Sequence, residues 1–306
     1  MDSMQITLGG ITLRNPVVLA AGTSGVIGEI SDAIDLRELG AITTKSITAE
    51  PRDGNQPIRM ADLPKGMINA IGLANGGIAD FATNYAPKSK KIDTTIIGSI
   101  AGDSIESYIQ VAKVMNDLEG IDLVEINVSC PNTSDGLEFG SCPTKLSELL
   151  REIKPTLQTT PMIVKLSAAC GDIRPHADAA IKAGADALTL INTIPAMAID
   201  VETKKPLITR GIGGLSGPAI HPIAVRVVHE VYRDVARNAN IPIIGTGGIL
   251  HWEDAAEFIL AGATAIGIGT ASFINPSISI KIAKKLSAWV KRQGCRSITD
   301  LIGQVH

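Results

Sequence analysis

A short apolar run, a glycine or polar break and then a helical stretch recur along this chain. Each apolar run has the length of a strand that is buried on both faces of a parallel sheet. The eight runs are PVVLAAG from Pro16, AITTKS from Ala41, TIIGSI from Thr95, DLVEINV from Asp122, PMIVKLS from Pro161, DALTLIN from Asp186, IPIIGTGG from Ile241 and TAIGIGT from Thr264. Eight strand-then-helix units predict a closed α/β barrel rather than an open sheet.

Glycines support this reading of the repeat. Gly40, Gly184 and Gly262 each lie between a helical stretch and the next apolar run, where helices often end in a left-handed glycine. We therefore predict an α/β fold, a (β/α)8 TIM barrel, in which residues 1–306 form a single domain.

Composition and charge exclude several classes of function. Aromatic residues are only 3% of the chain, so the core must be aliphatic, as in a parallel sheet covered by helices. The net charge is −3 and the basic residues are scattered, so we expect no nucleic acid partner. No signal peptide and no apolar run of membrane-spanning length is visible, so we expect no membrane partner and a cytoplasmic location.

The cysteines and histidines lack the spacing of metal sites. Cys130, Cys142, Cys170 and Cys295 lie far apart, so we expect reduced thiols and no metal or iron–sulfur cluster on this chain. We expect the histidines to lie at the surface or to have hydrogen-bond partners; they are His176, His221, His229, His251 and His306.

Three further segments carry structural predictions. Residues 5–13 alternate about a Gly-Gly pair, which predicts an N-terminal β-hairpin that closes the bottom of the barrel. Residues 45–95 and 192–241 each take about 50 residues between strands, so we expect extended βα loops on the catalytic face. Residues 278–292 have apolar residues at helical spacing among lysines, which favours a solvated outer helix over a membrane or partner contact.

Polar residues stand at the carboxyl ends of the apolar runs, where barrels bind their ligands. These residues are Lys45, Ser99, Asn127, Lys165, Asn192 and Thr246. Two lysines and two asparagines at equivalent strand ends indicate a polar ligand, because a buried ammonium must be paired or neutralised. Glycines after the last two strands, at positions 247, 248, 267 and 269, are typical of a phosphate site.

Residues 122–132, DLVEINVSCPN, combine such a strand end with a cysteine. By itself a cysteine at this position is more often a packing residue than a reactive one. The surrounding motifs give it more meaning. They are AITTKS with PRDGNQPIR, NAIGLANGG from Asn69, EINVSCPN with its FG loop, AMAIDVETKKPL from Ala196, GLSGPAI from Gly214 and IPIIGTGGI.

On these motifs the chain resembles class 1 dihydroorotate dehydrogenases from Gln5 to about Phe273, and most closely the class 1B, NAD-linked catalytic subunit. The resemblance implies an enzyme of pyrimidine (UMP) biosynthesis that uses flavin mononucleotide (FMN) to oxidise (S)-dihydroorotate to orotate. It further implies a partner subunit with FAD and a [2Fe-2S] cluster that passes electrons to NAD, and a homodimer of catalytic chains within a heterotetramer.

The resemblance also implies roles for individual residues. Hydride leaves C6 of the substrate for the flavin, and Cys130 matches the base that takes the C5 proton. The substrate-contacting positions of the family match Lys45, Asn69, Ala70, Ile71, Gly72, Leu73, Asn127, Asn192 and Thr193. The flavin-contacting positions match Ala21, Gly22, Lys45, Ser46, Ser99, Asn127, Lys165, Ile191, Gly217, Gly247, Gly248, Gly269 and Thr270. Lys165 would stabilise negative charge on the reduced flavin.

Some features leave alternatives open. Gly76 and residues 168–170, Ala-Ala-Cys, depart from the family pattern, which affects the expected rigidity of two loops. Class 1A enzymes, which use fumarate, are the nearest alternative. A flavin-free sugar-phosphate lyase or isomerase with a Schiff-base lysine is a further alternative. A barrel that only binds a nucleotide would leave Cys130 and both lysines without a role.

Overall fold

The computed structural model describes residues 3–128 and 139–305. The strands are β1 (Ile6–Leu8), β2 (Ile11–Leu13), β3 (Val17–Leu19), β4 (Ala41–Thr43), β5 (Met60–Leu63), β6 (Gly66–Asn69), β7 (Thr95–Ile100), β8 (Leu123–Asn127), β9 (Met162–Leu166), β10 (Ala187–Leu190), β11 (Ile194–Met197), β12 (Ile199–Asp200), β13 (Lys205–Pro206), β14 (Ile212–Ser216), β15 (Ile243–Thr246) and β16 (Ala265–Ile268).

The α-helices are α1 (Gly77–Asp80), α2 (Ile105–Asp117), α3 (Pro143–Ile153), α4 (Arg174–Lys182), α5 (His221–Val231), α6 (Arg237–Ala239), α7 (Trp252–Ala261), α8 (Ala271–Ile274) and α9 (Ile278–Arg292). Two π-helical turns, Phe81–Tyr85 and Tyr232–Ala236, follow α1 and α5 directly. Short 3₁₀ turns occupy Leu36–Glu38, Ala86–Lys91, Phe139–Ser141, Lys154–Thr156, Ala168–Cys170, Pro218–Ile220 and Ile298–Leu301.

Eight parallel strands close into a barrel in the order β10-β15-β16-β3-β4-β7-β8-β9. Each of the eight predicted apolar runs contributes one of these strands, so the predicted (β/α)8 barrel is confirmed. In β3, β8 and β9 nearly every residue is buried, as expected where helices cover the outside and side chains fill the inside. All eight carboxyl ends therefore meet at one rim.

The predicted N-terminal hairpin is confirmed. Strands β1 and β2 pair antiparallel around Gly9 and Gly10, whose φ angles of 55° and 85° suit a tight turn that only glycine adopts readily. A Cβ on Gly9 would lie 3.0 Å from Pro161, directly before β9, and 3.3 Å from Leu123, which begins β8. The turn therefore packs against the amino ends of the barrel strands, opposite the rim.

The three glycines before strands do not share one cause. Gly184 and Gly262 have φ angles of 96° and 119°, as predicted for residues that end a helix in the left-handed region. Gly40 does not have a positive φ, so its predicted left-handed cap is wrong. A Cβ on Gly40 would lie 1.9 Å from the carbonyl oxygen of Asn15, so glycine is needed here for a close backbone approach.

The two long connections meet above the rim. Strands β5 and β6 come from the first connection, β11 and β14 come from the second, and together they form an antiparallel sheet in the order β11-β14-β6-β5. Gly214 of β14 is the register partner of Asn69 in β6. The extended loops on the catalytic face are thereby held together by one additional sheet.

The outer helix predicted from the lysine-rich segment is α9, with the predicted boundaries. Its buried side chains include Ile282, Leu286 and Val290, while Lys281 and Lys285 are exposed. The apolar stripe of α9 thus packs against the barrel and its lysines face solvent, as in a solvated outer helix.

His176 is a correction to the expectation that every histidine is exposed or hydrogen-bonded. It lies in the first turn of α4, its side chain is 5% exposed, and neither ring nitrogen has a hydrogen-bond partner in the described structure. His221, in contrast, places its Nδ1 atom 3.0 Å from the carbonyl oxygen of Gly247, as predicted. His306 lies outside the described residues.

Replacing His176 with leucine is expected to raise the free energy of unfolding by about 1 kcal/mol, since an unpartnered imidazole no longer has to be desolvated. The midpoint of urea unfolding measures this change. His229→Leu is the control, because His229 is only half-buried and its replacement is expected to alter stability by less than about 0.5 kcal/mol. An H176L variant that is no more stable than the parent would show that the imidazole is satisfied in solution.

Candidate functional site

A cavity opens at the rim, between the carboxyl ends of the barrel strands and the additional sheet. Its volume is about 1220 Å³, which includes the open solvent at its mouth. The predicted site residues that line it are Ala21, Gly22, Lys45, Ser46, Asn69, Ile71, Leu73, Asn127, Lys165, Ile191, Asn192, Thr193, Gly217, Gly247, Gly248, Gly269 and Thr270. Residues from nine parts of the chain are thus brought together.

Lys165 supplies a buried positive charge to this cavity. It lies near the end of β9, is 6% exposed, and has Asn127 and Thr189 as register partners on the two neighbouring strands. Within the described residues its ammonium nitrogen has neither an ion-pair nor a hydrogen-bond partner. Because a buried, unpaired ammonium is costly, this arrangement is best explained by a ligand with acceptor atoms.

Lys45 supplies a second cation after β4. Its side chain lines the cavity and is half-buried, and its backbone nitrogen donates to the carbonyl oxygen of Gly25 at 2.9 Å. Burial lowers the pKa of Lys45 below its usual value; the Glu29 carboxylate opposes this shift and the Arg59 guanidinium adds to it. The cavity therefore presents two lysines, both suited to an anionic ligand.

Side-chain amides form a connected group beside the lysines. The Nδ2 atom of Asn192 donates to Oδ1 of Asn127 at 3.2 Å, and Nδ2 of Asn127 donates to Oγ of Ser46 at 3.2 Å. Asn69 donates to the carbonyl oxygen of Gly214 at 3.2 Å, which ties its amide to the additional sheet. Amides held in this way can read the carbonyl and N–H groups of a flat heterocycle.

Glycines form a further part of the cavity wall. A Cβ built on Gly22 meets no atom within 4 Å, and one built on Gly269 meets only side-chain carbons at 3.9 Å, so both backbones face open cavity space. Thr270, which follows Gly269, donates its hydroxyl to Oγ of Ser216 at 2.8 Å. Exposed backbone with nearby hydroxyls is the environment in which barrels hold phosphate.

Three predicted ligand residues, Ser99, Ala70 and Gly72, are not part of the cavity lining in the described structure. Ser99 is fully buried behind the wall, where its hydroxyl lies 2.9 Å from that of Ser46. The backbone N–H of Ala70 donates a hydrogen bond to the carbonyl oxygen of Arg59, and its carbonyl oxygen accepts one from Nδ2 of Asn55. Gly72 faces the neighbouring residues 51–55, and a Cβ on it would lie 2.6 Å from the backbone nitrogen of Asn55.

The cavity also has lining residues that the sequence motifs did not single out as ligands. They are Ala20, Thr23, Met60, Met67, Ser216, Ile220, Thr246, Ile249, Leu250, Ala271 and Phe273. Ser216 lies inside the GLSGPAI motif and Thr246 lies at the end of the seventh apolar run, so the sequence indicated a place at the site for both. Met60 and Met67 belong to the additional sheet. They could not be predicted from the carboxyl ends of the barrel strands, because they do not lie there.

Cys130, the predicted base, lies outside the described residues together with Ser129. The described chain ends before it at Val128 and resumes at Phe139. Asn127, the last residue of β8, lines the cavity. Among the described residues, Cys142, Cys170 and Cys295 form no disulfide bond, and no metal-binding cluster of His, Cys, Asp or Glu occurs. None of the helices in residues 3–128 and 139–305 has the length and hydrophobicity to cross a membrane.

Comparisons with known proteins show the family to which the chain belongs. A family model described as dihydroorotate dehydrogenase matches residues 3–290. The chain is 46% identical over 305 residues to the dihydroorotate dehydrogenase B (NAD(+)) catalytic subunit of Caldicellulosiruptor bescii, with 99% of each chain covered. It is 42% identical over 307 residues to the protein of the same name from Bacteroides thetaiotaomicron, with 100% of each covered.

A structural comparison supports the fold alone. The crystal structure of a DHODH in complex with ferulenol from Eimeria tenella superposes with a TM-score of 0.82 at 22% identity. The match covers 99% of this chain and 89% of that chain. The two chains therefore share the same overall fold.

Proposed function

The chain belongs to the dihydroorotate dehydrogenase family, and on this premise we propose that it is the catalytic subunit of an NAD-linked dihydroorotate dehydrogenase. It oxidises (S)-dihydroorotate to orotate in pyrimidine biosynthesis. The observation that carries the proposal is a buried Lys165 with no ion-pair or hydrogen-bond partner among the described residues, in a cavity with Lys45 and linked amides. The chain is also 46% identical over 305 residues to such a subunit. The flavin-free lyase alternative has no comparable support.

We propose that the cavity holds FMN. Its phosphate fits the glycine side, at Gly248, Gly269 and Thr270, and its ring fits beside Lys165 and Gly22. The support is the open backbone at Gly22 and Gly269, together with the Lys165 ammonium, which has no partner in the part of the chain that the structure describes. When bound, FMN supplies the hydride acceptor that the oxidation of dihydroorotate requires.

A methyl group added to Gly22 is expected to lower FMN affinity by at least about 10-fold, because it would occupy cavity space that the cofactor needs. Gly10→Ala is a matched control. Both glycines have a positive φ, 83° and 85°, and a Cβ on either meets no atom within 4 Å, but only Gly22 lines the cavity. Flavin fluorescence during titration measures the affinity. Equal FMN affinities for G22A and G10A would place the cofactor elsewhere.

We propose that dihydroorotate lies against Lys45, Asn69, Asn127, Asn192 and Thr193. The lysine matches the substrate carboxylate, and the amides match the carbonyl and N–H groups of its ring. On the side away from the flavin, Cys130 takes the C5 proton. The residues that line the cavity hold the substrate with one ring face toward the flavin and the other toward Cys130.

Orotate affinity is expected to fall as pH rises, starting below the ordinary lysine pKa of 10.5. The charged form of Lys45 binds the carboxylate, and burial lowers its pKa, so the loss of charge begins at a lower pH than for an exposed lysine. Lys45→Arg should remove this decline, since a guanidinium stays charged. Spectral titrations of the flavin with orotate at several pH values measure it. The same decline in K45R would assign the titration to another group.

We propose that a second subunit with FAD and a [2Fe-2S] cluster carries electrons from this chain to NAD, and that catalytic chains pair as a homodimer within a heterotetramer. The support is the subunit name of the relatives and the apolar surface near the cavity mouth. That surface includes Phe273 and Ile274, which are 50% and 69% exposed, and Met197, Ile199 and Ile212 around the additional sheet. We also propose a cytoplasmic location, in keeping with cysteines at positions 142, 170 and 295 that form no disulfide bond among the described residues.

The experiment that tests the proposed function is turnover of (S)-dihydroorotate by the isolated, FMN-loaded chain. We expect reduction of an artificial dye, no turnover with NAD until the partner subunit is added, and no turnover with fumarate. NAD-linked turnover by the isolated chain would contradict the proposed division of labour. Fumarate-linked turnover would instead assign the chain to the class 1A activity.

A further inference from the structure

A carboxylate lies inside the barrel, below the cavity floor. Glu125 is in the middle of β8, its side chain is 2% exposed, and its neighbours on the strand are apolar. A buried carboxylate is costly unless donors satisfy it. Glu125 does not line the cavity, so neither a cofactor nor a substrate contact accounts for it.

Two hydroxyl groups satisfy this carboxylate from opposite sides. Thr189, on β10, donates to Oε2 of Glu125 at 2.8 Å. Ser99, on β7, donates to Oε1 at 3.3 Å. Ser99 has one hydroxyl proton, so its oxygen must act as acceptor toward Ser46, whose Oγ lies 2.9 Å away. The carboxylate thus determines which serine is the donor.

The same direction continues into the cavity. Because the Ser46 proton points to Ser99, the Ser46 oxygen is free to accept from Nδ2 of Asn127 at 3.2 Å. Oδ1 of Asn127 then accepts from Nδ2 of Asn192 at 3.2 Å. Oδ1 of Asn192 accepts from the backbone nitrogen of Thr193 at 2.8 Å. A backbone N–H at one end and a carboxylate at the other give every bond in the chain one direction.

We propose that Glu125 is a positioning residue that fixes the amide orientations of Asn127 and Asn192, and thereby the pattern of donors and acceptors that the pyrimidine ring meets. The inference rests on the proposed function, since it concerns how the same cavity recognises its substrate. An amide turned by 180° exchanges its oxygen and its NH₂ group, so an acceptor-only anchor such as a carboxylate excludes the reversed network.

The fit between this network and the ring makes the expected effect measurable. Without the carboxylate the Ser99 and Ser46 hydroxyls can reverse, so Asn127 can turn either its oxygen or its NH₂ group to Ser46, and the Thr193 N–H is left as the one directional anchor of Asn192 within this network. One misdirected hydrogen bond in a buried site costs about a factor of 10 in affinity. Orotate affinity should therefore fall while FMN remains bound.

The test is orotate binding to the FMN-loaded chain, followed by the flavin spectrum, in four variants. Glu125→Met and Ser99→Ala each cut the chain of hydrogen bonds and are expected to weaken orotate binding by about 10-fold. Glu125→Gln keeps an acceptor for Ser99 while its NH₂ group faces Thr189, so we expect affinity within about 3-fold of the parent. Thr189→Val removes the other hydroxyl on the same carboxylate, outside the chain to the cavity, and should bind orotate like the parent.

The outcomes separate this proposal from its alternatives. Parent-like orotate affinity in S99A would overturn it even if E125M failed to fold. An E125Q variant as weak as E125M would show that the negative charge matters and not the direction of the bonds, which also overturns it. A parent chain that binds no FMN or no orotate would reject the proposed function itself, before any variant is compared.

Discussion

Replacing Cys130 with alanine is expected to lower the rate at which (S)-dihydroorotate reduces the bound flavin by about 10²–10⁴-fold, the usual contribution of a positioned general base. Alanine cannot take the C5 proton, so hydride transfer from C6 is no longer accompanied by removal of that proton. FMN affinity should stay unchanged, because the proposed base lies on the side of the substrate away from the flavin. Anaerobic stopped-flow absorbance measures the flavin reduction directly.

Cys142→Ala is the matched control for this prediction. Cys142 precedes α3, and hydrogen bonds from the backbone of Lys145 and Thr144 lower the pKa of its thiol. It is therefore the described cysteine with the clearest cause for reactivity. We expect C142A to reduce its flavin at the parent rate. A slow C142A together with a fast C130A would transfer the base role to Cys142.

Replacing Lys165 with methionine is expected to weaken FMN binding and to slow flavin reduction by about 10²–10³-fold, since a fixed charge beside the site of reaction is lost. The reduction potential of any flavin that remains bound should fall, because the ammonium no longer favours added negative charge on the ring. Titration of FMN and a spectroscopic potential measurement give the two values.

Stability separates this effect from misfolding. Lys165 is buried without an ion-pair partner in the described structure, so methionine of similar length should leave the cofactor-free chain at least as stable as the parent. Lys285→Met, on the exposed face of α9, is the control for loss of one charge. If K165M bound FMN with the parent affinity and potential, Lys165 would be a structural residue.

The fold could be predicted because the sequence signals were local and repeated. Each apolar run such as PMIVKLS became one barrel strand, and the Gly9-Gly10 pair gave the hairpin turn at the expected place. The lysines at positions 45 and 165 could be predicted as site residues, because each lies at the carboxyl end of a buried strand. Both line the cavity, since strand ends in a parallel barrel share one rim.

Other features depend on contacts between distant segments, which no local pattern reveals. Gly40 is required by the carbonyl oxygen of Asn15, and Ser99 lies behind Ser46 instead of facing the cavity. The glutamate of the EINVSCPN motif stands within an apolar run, and the sequence does not show that it accepts hydrogen bonds from two hydroxyl groups inside the barrel. The burial of His176 could not be predicted, because the sequence of this short helix does not show whether its one histidine lies on the buried or the exposed face.

The most direct test of the central claim, that one cavity at the barrel rim brings flavin and dihydroorotate together, is an anaerobic titration of the FMN-loaded chain with (S)-dihydroorotate. The account predicts that the visible absorption of the flavin bleaches and that one orotate forms for each flavin reduced. A flavin-loaded chain whose spectrum stays unchanged at saturating dihydroorotate would contradict it.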